Sequence, residues 1–367
     1  MLLRTLSVLL LHLSSLYLRL GTASASCSCS SVLVPVHVDV LVPKDPNDVF
    51  GGLKSNETSL RRVNTTYDIY GVFCRPNAGN EDVLQLLAHG FSYTSQYWSP
   101  PIEEFRNYSY TAFSCERGLP SLAVDLLAAG LSSRPANASD VQYPTNAAVL
   151  SQLARHLKTA PILPGVRPFQ KIIGIGHSLG SALFNFGAIV DGVQSPFDAL
   201  VLTSILIFGP NDPPPGSGTS AVPIAARDAD PLRWGALDPA YVTIDDRTPF
   251  YPADPTAYSP RMFLFDGFTK DVGALSLAVQ VASSSIPAAN YTGAVVKVVG
   301  AEDQVVCAAD RCVDVEALTE AEQVVWPAAK SFEVLVLQGS GHDLNLDFRA
   351  GAAFETIFGL VAKFAEK

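Results

Sequence analysis

Charge is what this sequence has least of. Only 16% of its 367 residues are Asp, Glu, Lys or Arg, and the acids outnumber the bases 35 to 25, for a formal charge of −10. With 48% hydrophobic residues, such a chain has material for a sizeable core and is not a disordered polymer. The shortage of Lys and Arg argues against nucleic acid or an anionic membrane surface as partner. Cysteine is sparse as well: there are six, with neither a C-x-x-C pair nor a histidine pair at metal-ligand spacing, which speaks against zinc. Past the first 25 residues no run is long and apolar enough to span a bilayer, so stable membrane insertion is not expected. No internal repeat is present.

What is there begins with Arg4, a Leu-rich run, and Ala23-Ser24-Ala25, the layout of a signal peptide over residues 1–25 with cleavage before Ser26. Losing it removes Arg4 and Arg19 and no acid, leaving 23 bases against 35 acids and a charge of −12. An extracellular, oxidising destination suits the even cysteine set. Cys307 and Cys312 are near enough in sequence for a local bridge, while Cys74 and Cys115 pair with each other or with Cys27 and Cys29. Five N-x-S/T sequons, at Asn56, Asn64, Asn107, Asn137 and Asn290, fall in polar or loop-like stretches where a glycan is solvated.

Residues 26–66 read as an extended N-terminal arm, in which Val32 to Val42 alternates around Pro35 and Pro43 and suits an edge strand or an irregular lead-in. A core then runs over 67–208. Strands are expected at Thr66–Cys74, Val83–Ala88, Ser121–Leu127, Lys171–Ile175 and Asp198–Ile207, and helices around Phe113, over Asn146–Leu157 and after Ser178. Unbroken apolar strands alternating with helices predict an α/β fold, a mostly parallel sheet covered on both faces. Over 209–290 the alternation stops and prolines and aromatics crowd in, so a small, mainly helical insertion is expected there, poised as a lid. The core resumes over 291–367 with strands Ala294–Gly300 and Phe332–Leu337, a helix at Val313–Val325 and a closing helix over Phe348–Lys367.

The chain is organised around Lys171-Ile172-Ile173-Gly174-Ile175-Gly176-His177-Ser178-Leu179-Gly180-Ser181. A strand breaks at glycine, exposes one serine between two glycines and continues as helix, which is the nucleophile-elbow pattern G-x-S-x-G. An alcohol at neutral pH needs a base in contact, and the base needs an acid to fix its tautomer. In the order Ser, acid, His, each after a strand, the positions are filled by Ser178, Asp303 and His342. Asp271, Asp310 and Asp314 are the competing acids. The remaining histidines lie in the leader (His12), the arm (His37), a helix (His156) or other motifs (His89, His177). After the strand at Val83, the run His89-Gly90-Phe91 brings a backbone N–H, at Phe91, that with the N–H of Leu179 faces a developing oxyanion. His89 is expected to support that loop.

These motifs resemble the α/β-hydrolase superfamily over roughly residues 65–365. The segments Tyr67–Cys74 and Leu84–Phe91, with Tyr97-Trp98, are similar in particular to its secreted fungal members. The resemblance implies hydrolysis through an acyl-serine, without metal or cofactor, under a cap inserted after the sixth strand. It gives Ser178 the role of nucleophile, His342 that of base, Asp303 that of orienting acid, and Phe91 and Leu179 those of oxyanion donors. The chain departs from the family after Asp125, where Leu126–Ser132 lacks the arginine or histidine often found. Epoxide and haloalkane hydrolases of this fold carry an aspartate at the elbow, so a serine there points to esters. The implied function is a secreted serine esterase, lactonase or lipase-like enzyme acting on an uncharged, partly apolar small molecule. Two alternatives stand beside it: a tailoring hydrolase or cyclase of secondary metabolism, and a non-catalytic binding protein on the same scaffold. The sequence leaves the oligomeric state open.

Overall fold

The computed structural model describes residues 27–208, 221–307 and 311–366. The expected leader, the first residues of the insertion and the competing acid Asp310 lie outside the described residues. In chain order the elements are β1 (Cys27–Pro43), β2 (Leu60–Pro76), β3 (Val83–Ala88), α1 (Tyr110–Glu116), β4 (Ser121–Val124), α2 (Tyr143–Thr159), β5 (Lys171–His177), α3 (Leu179–Asp191) and β6 (Ala199–Thr203). Next come β7 (Ile224–Ala225), α4 (Ala226–Ala229), α5 (Pro231–Trp234), β8 (Tyr241–Thr243), α6 (Pro260–Thr269), β9 (Gly273–Ala274) and α7 (Leu275–Val279). The chain closes with β10 (Ala294–Gly300), α8 (Val315–Gln323), β11 (Ser331–Leu337) and α9 (Ala350–Ala365).

Eight strands form one sheet in the order β1-β2-β4-β3-β5-β6-β10-β11. The pairs β1–β2 and β2–β4 are antiparallel and all the others parallel. This is the α/β-hydrolase fold. From β3 the chain crosses to β4 on one side and returns to β5 on the other, so the loops after β3 and β5 part and leave a crevice at their carboxyl ends.

Alternation along β5 shows how the faces are divided. Ile173 and Ile175 join the apolar layer that includes Tyr110 of α1 and Phe354 of α9, whereas Ile172 joins the layer with α2 and α3. On the α3 face stand Gly174 and Gly176. A Cβ on Gly176 would lie 2.3 Å from the Ser181 backbone nitrogen, so α3 can press on the strand only because that side chain is missing.

Of the two readings of the extended arm, the structure has the edge strand, which is half of a 17-residue antiparallel ribbon. β1 pairs with β2 in unbroken register from Cys27↔Pro76 to Pro43↔Leu60. Pro35 is tolerated because β1 is the sheet's edge. Two strands are shorter than their apolar runs. β4 stops at Val124, where the Asp125 carboxylate accepts the N–H groups of Ser95 (2.7 Å) and Leu131 (2.8 Å) and turns the chain out of the sheet. β6 stops at Thr203, because Ser204 takes φ +55°. Between residues 221 and 290 the helices are short, as the prolines dictate, and a three-stranded sheet β7-β8-β9 that the composition did not suggest runs among them.

Three disulfides link Cys27–Cys115, Cys29–Cys74 and Cys307–Cys312. Of the open pairings, Cys74 and Cys115 each take a partner from the start of β1 rather than each other. Lys297, in the middle of β10, is buried and paired at 2.5 Å with Glu322, whose carboxylate also accepts the Ile207 N–H. The bridges enclose very different lengths of chain, 88 residues for Cys27–Cys115 and 5 for Cys307–Cys312. Chain-entropy scaling gives about 4.6 kcal/mol for the longer and about 2 kcal/mol for the shorter. Paired Cys→Ala variants unfolded in urea are therefore expected to lose more from the first bridge than from the last.

Candidate active site

The Ser178 turn is strained by construction. Its backbone has φ +49° and ψ −111°, a region costly for any side chain. The conformation is held by Ser178 N–H donating to the Thr203 carbonyl at 2.8 Å and by the start of α3 behind it. A Cβ on Gly180 would sit 2.3 Å from the Ala88 carbonyl oxygen, so both glycines of the motif are backbone contacts. Leu179 is the first residue of α3, and its N–H has no acceptor within the helix. Gly90 lets the Phe91 loop pass His177, whose ring carbon a Cβ there would meet at 2.8 Å. His89 bridges this loop to the next: its Nδ1 donates to the Gly90 carbonyl (2.8 Å) and its Nε2 accepts the Leu126 N–H (2.9 Å). Burial holds its pKa below the ordinary value.

Asp303 and His342, 39 residues apart, meet beyond β10 and β11. His342 Nδ1 donates to Asp303 Oδ2 at 2.8 Å, and both are buried. The other carboxylate oxygen accepts the N–H groups of Val305 (2.8 Å) and Val306 (3.0 Å), which fixes its orientation. The competing acids are engaged elsewhere: Asp314 caps α8 through the Ala317 N–H, and Asp271 pairs with Arg134. Burial disfavours the imidazolium of His342, but the charge and hydrogen bond of Asp303, with Asp343 behind, outweigh it and leave the pKa raised.

Ser178, Leu179, Phe91 and His342 border one cavity. Ile244, Phe250, Leu277 and Val281 of the 221–290 segment contribute to its wall, and apart from His342 and the phenols of Tyr93 and Tyr143 no ionisable side chain among the described residues lines it. Among the described residues no cluster of three or more His, Cys, Asp or Glu is placed to hold a metal ion.

Sequence reasoning missed what stands behind His342. A second histidine–carboxylate pair, His177 Nε2 to Asp343 Oδ1 at 3.1 Å, lies against the first, with the two imidazoles 5.1 Å apart. Burial, then the neighbouring His342, depress the pKa of His177 well below the ordinary range. Tyr97 stacks on its other face at 4.1 Å. Asp343, raised by burial to about 6, also takes the Tyr93 hydroxyl. Tyr93 in turn touches Asp266, which forms a buried ion pair with Arg247 at 3.0 Å. Arg247 reaches back to Ser92 Oγ at 2.7 Å. The network thus runs from the elbow strand to the insertion. Ser204 is a further omission: its hydroxyl donates to the His342 carbonyl at 2.6 Å. Only the adjacency of Asp343 to His342 was visible as a signal, and it suggested no partner.

A family model described as the alpha/beta hydrolase family matches residues 85–355. No curated protein sequence matches. Among solved structures, a candidate aryl esterase from Burkholderia cenocepacia superposes with TM-score 0.55 at 16% identity, over 90% of this chain and 100% of that one. An esterase from Thermogutta terrifontis gives 0.52 at 14%, covering 89% and 99%. The epoxide hydrolase VrEH1 of Vigna radiata gives 0.52 at 15%, covering 90% and 98%. At these identities the likeness is one of fold.

The raised pKa of His342 has a definite sign. Below the ordinary 6.5 the protonated pair with Asp303 contributes stability, which is lost as pH rises through the higher folded value. NMR titration of the imidazole is expected to show a midpoint above 6.5, falling in Asp303→Asn. An unchanged midpoint in that variant contradicts the assignment of cause.

Proposed function

The chain belongs to the alpha/beta hydrolase family, and from that premise we propose that it is a secreted serine hydrolase cleaving a carboxylic ester or lactone through an acyl-serine intermediate. The observation that carries the reading is the 2.8 Å bond fixing His342 beside the cavity that Ser178 borders. Nδ1 is committed to Asp303, so Nε2 is left to take the Ser178 proton as Oγ attacks the carbonyl carbon. The oxyanion is received by the N–H groups of Leu179 and Phe91, with the N-terminal end of α3 adding its dipole. The proton then passes from His342 to the departing alcohol, and water repeats the sequence to free the acid.

Epoxide hydrolases share the fold, but the serine at the elbow, where the resemblance expects them to carry an aspartate, favours esters. The family implies a small-molecule substrate, and the apolar cavity wall suits an uncharged one. Three disulfides and five sequons whose asparagines are all exposed support passage through the secretory route. Among the described residues no helix is long and apolar enough to cross a membrane. The segment 209–290 is assigned the role of cap, with core segments 67–208 and 291–367 on either side, and the secreted fungal members are the proposed kin.

A fluorophosphonate probe is expected to label Ser178, and Ser178→Ala to abolish both labelling and turnover of a p-nitrophenyl ester. Asp303→Asn should lower kcat by about a thousandfold or more. The acid limb of the pH–rate profile should lie above 6.5, because only neutral His342 accepts a proton. Full turnover by Ser178→Ala overturns the proposal.

A further inference from the structure

One buried cation of the insertion reaches both loops that the proposed chemistry uses. Arg247 is 2% exposed, and a buried ion pair stabilises a fold no better than well-packed hydrocarbon, so stability alone is a weak reason for it. Its donors are engaged on two sides. Nε and Nη2 donate to the two Asp266 oxygens at 3.1 and 3.0 Å, and Nη1 donates to Ser92 Oγ at 2.7 Å. A guanidinium holds its donors in a rigid fork, which the point charge of a lysine ammonium does not reproduce.

Each side leads to a working loop. Ser92 directly follows Phe91, the proposed oxyanion donor, and is held at φ +61°. Its carbonyl accepts the N–H of Asp271 at 2.9 Å, so the insertion grips this residue at hydroxyl and carbonyl alike. Towards the base, the guanidinium lies over the rings of Tyr93 (4.1 Å) and Phe250 (4.7 Å). The Phe250 ring stacks on the His342 imidazole at 5.4 Å, and the Phe250 carbonyl accepts the N–H of Asp343, the next residue along. The Tyr93 hydroxyl links Asp266 to Asp343. Arg247 is not among the described residues that border the cavity, so it acts through these neighbours.

We propose that Arg247 is a positioning residue for the reaction: it braces Ser92 on one side and Phe250 and Tyr93 on the other, and so holds the oxyanion loop and the His342 loop in one arrangement. The insertion then contributes to the chemical step as well as to the cavity wall. The inference rests on the serine-hydrolase reading and adds to it. A donor or base displaced by a fraction of an ångström loses transition-state stabilisation while substrate affinity is kept.

The test measures turnover of a p-nitrophenyl ester per active site, with sites counted by fluorophosphonate labelling of Ser178. It compares the native protein with Arg247→Lys, Ser92→Ala and the double variant. Arg247→Lys keeps the charge beside Asp266 and loses the fork; kcat per site is expected to fall about tenfold, with KM within about twofold of native. Ser92→Ala lowers kcat in the same way. The double variant is no slower than Arg247→Lys, because the Ser92 hydroxyl works through Arg247. A merely structural role shows instead as fewer labelled sites, each with native kcat. That result overturns the inference, as does a raised KM at native kcat, or losses that multiply in the double variant. Where Arg247→Lys yields no labelled site, Ser92→Ala decides: a lowered kcat per site supports the inference and a native one overturns it. Failure of the probe to label Ser178 in the native protein overturns the serine-hydrolase reading and this inference with it.

Discussion

Everything at this site depends on how closely α3 approaches the sheet. The helix begins one residue after β5 ends, and its first turn touches the backbone of two strands, at Gly176 on its own and at Ala88 through Gly180. No side chain fits in either gap. Bringing these backbones together holds Ser178 at positive φ, at the cavity's edge and directly before Leu179, whose N–H, at the start of the helix, has no acceptor within it. The proposed nucleophile and one proposed oxyanion donor are therefore two results of a single contact. Its position next to the crevice where the loops after β3 and β5 separate is set by strand order.

Around that turn the protein spends buried polarity freely. His342 is held from three directions: by Asp303 at its ring, by Ser204 at its carbonyl, and by Asp347, which takes the Ser340 hydroxyl and the Gly341 N–H just before it. The insertion joins in, since the Phe250 carbonyl accepts the Asp343 N–H at 2.8 Å. Arg247 and Asp266, both from the insertion, complete a buried network with Tyr93 and Asp343 from the core. Such networks are worthwhile only when satisfied throughout, and their main effect is to make one geometry far better than its neighbours.

Legibility in the sequence followed the range of the interactions concerned. The elbow was visible because strand, glycines, serine and helix are contiguous, and β3, β5 and β10 because buried parallel strands are mainly apolar; β11, at the sheet edge with only Val334 buried, still showed in its run Val334–Leu337. Asp303 and His342 were found by their place after strands, which the fold's chain order supplies. The second pair, His177 with Asp343, joins residues 166 apart, and nothing local to either marks the other. Arg247 reads as an ordinary cation in a proline-rich stretch, and its burial emerges only when it lies over the rings of Tyr93 from the core and Phe250 from its own segment. The ribbon β1–β2 was half legible: its alternation shows in Val32–Val42, but its partner lies across residues 44–59, too far for a tight-turn signal. The small sheet β7-β8-β9 has strands of two or three residues, below what any periodicity resolves.

Among the described residues four other than glycine hold positive φ, and three of them, Ser92, Ser178 and Ser204, follow the neighbouring strands β3, β5 and β6. Glycine would relax the backbone at each place, yet each serine hydroxyl faces the site or braces it: Ser92 receives Arg247, Ser204 secures the histidine loop, and Ser178 borders the cavity. Folding free energy and working geometry thus pull in opposite directions at one small set of positions. A breeding programme that rewarded heat resistance alone would drift toward glycine there, and would arrive at a sturdier protein with a blunted centre.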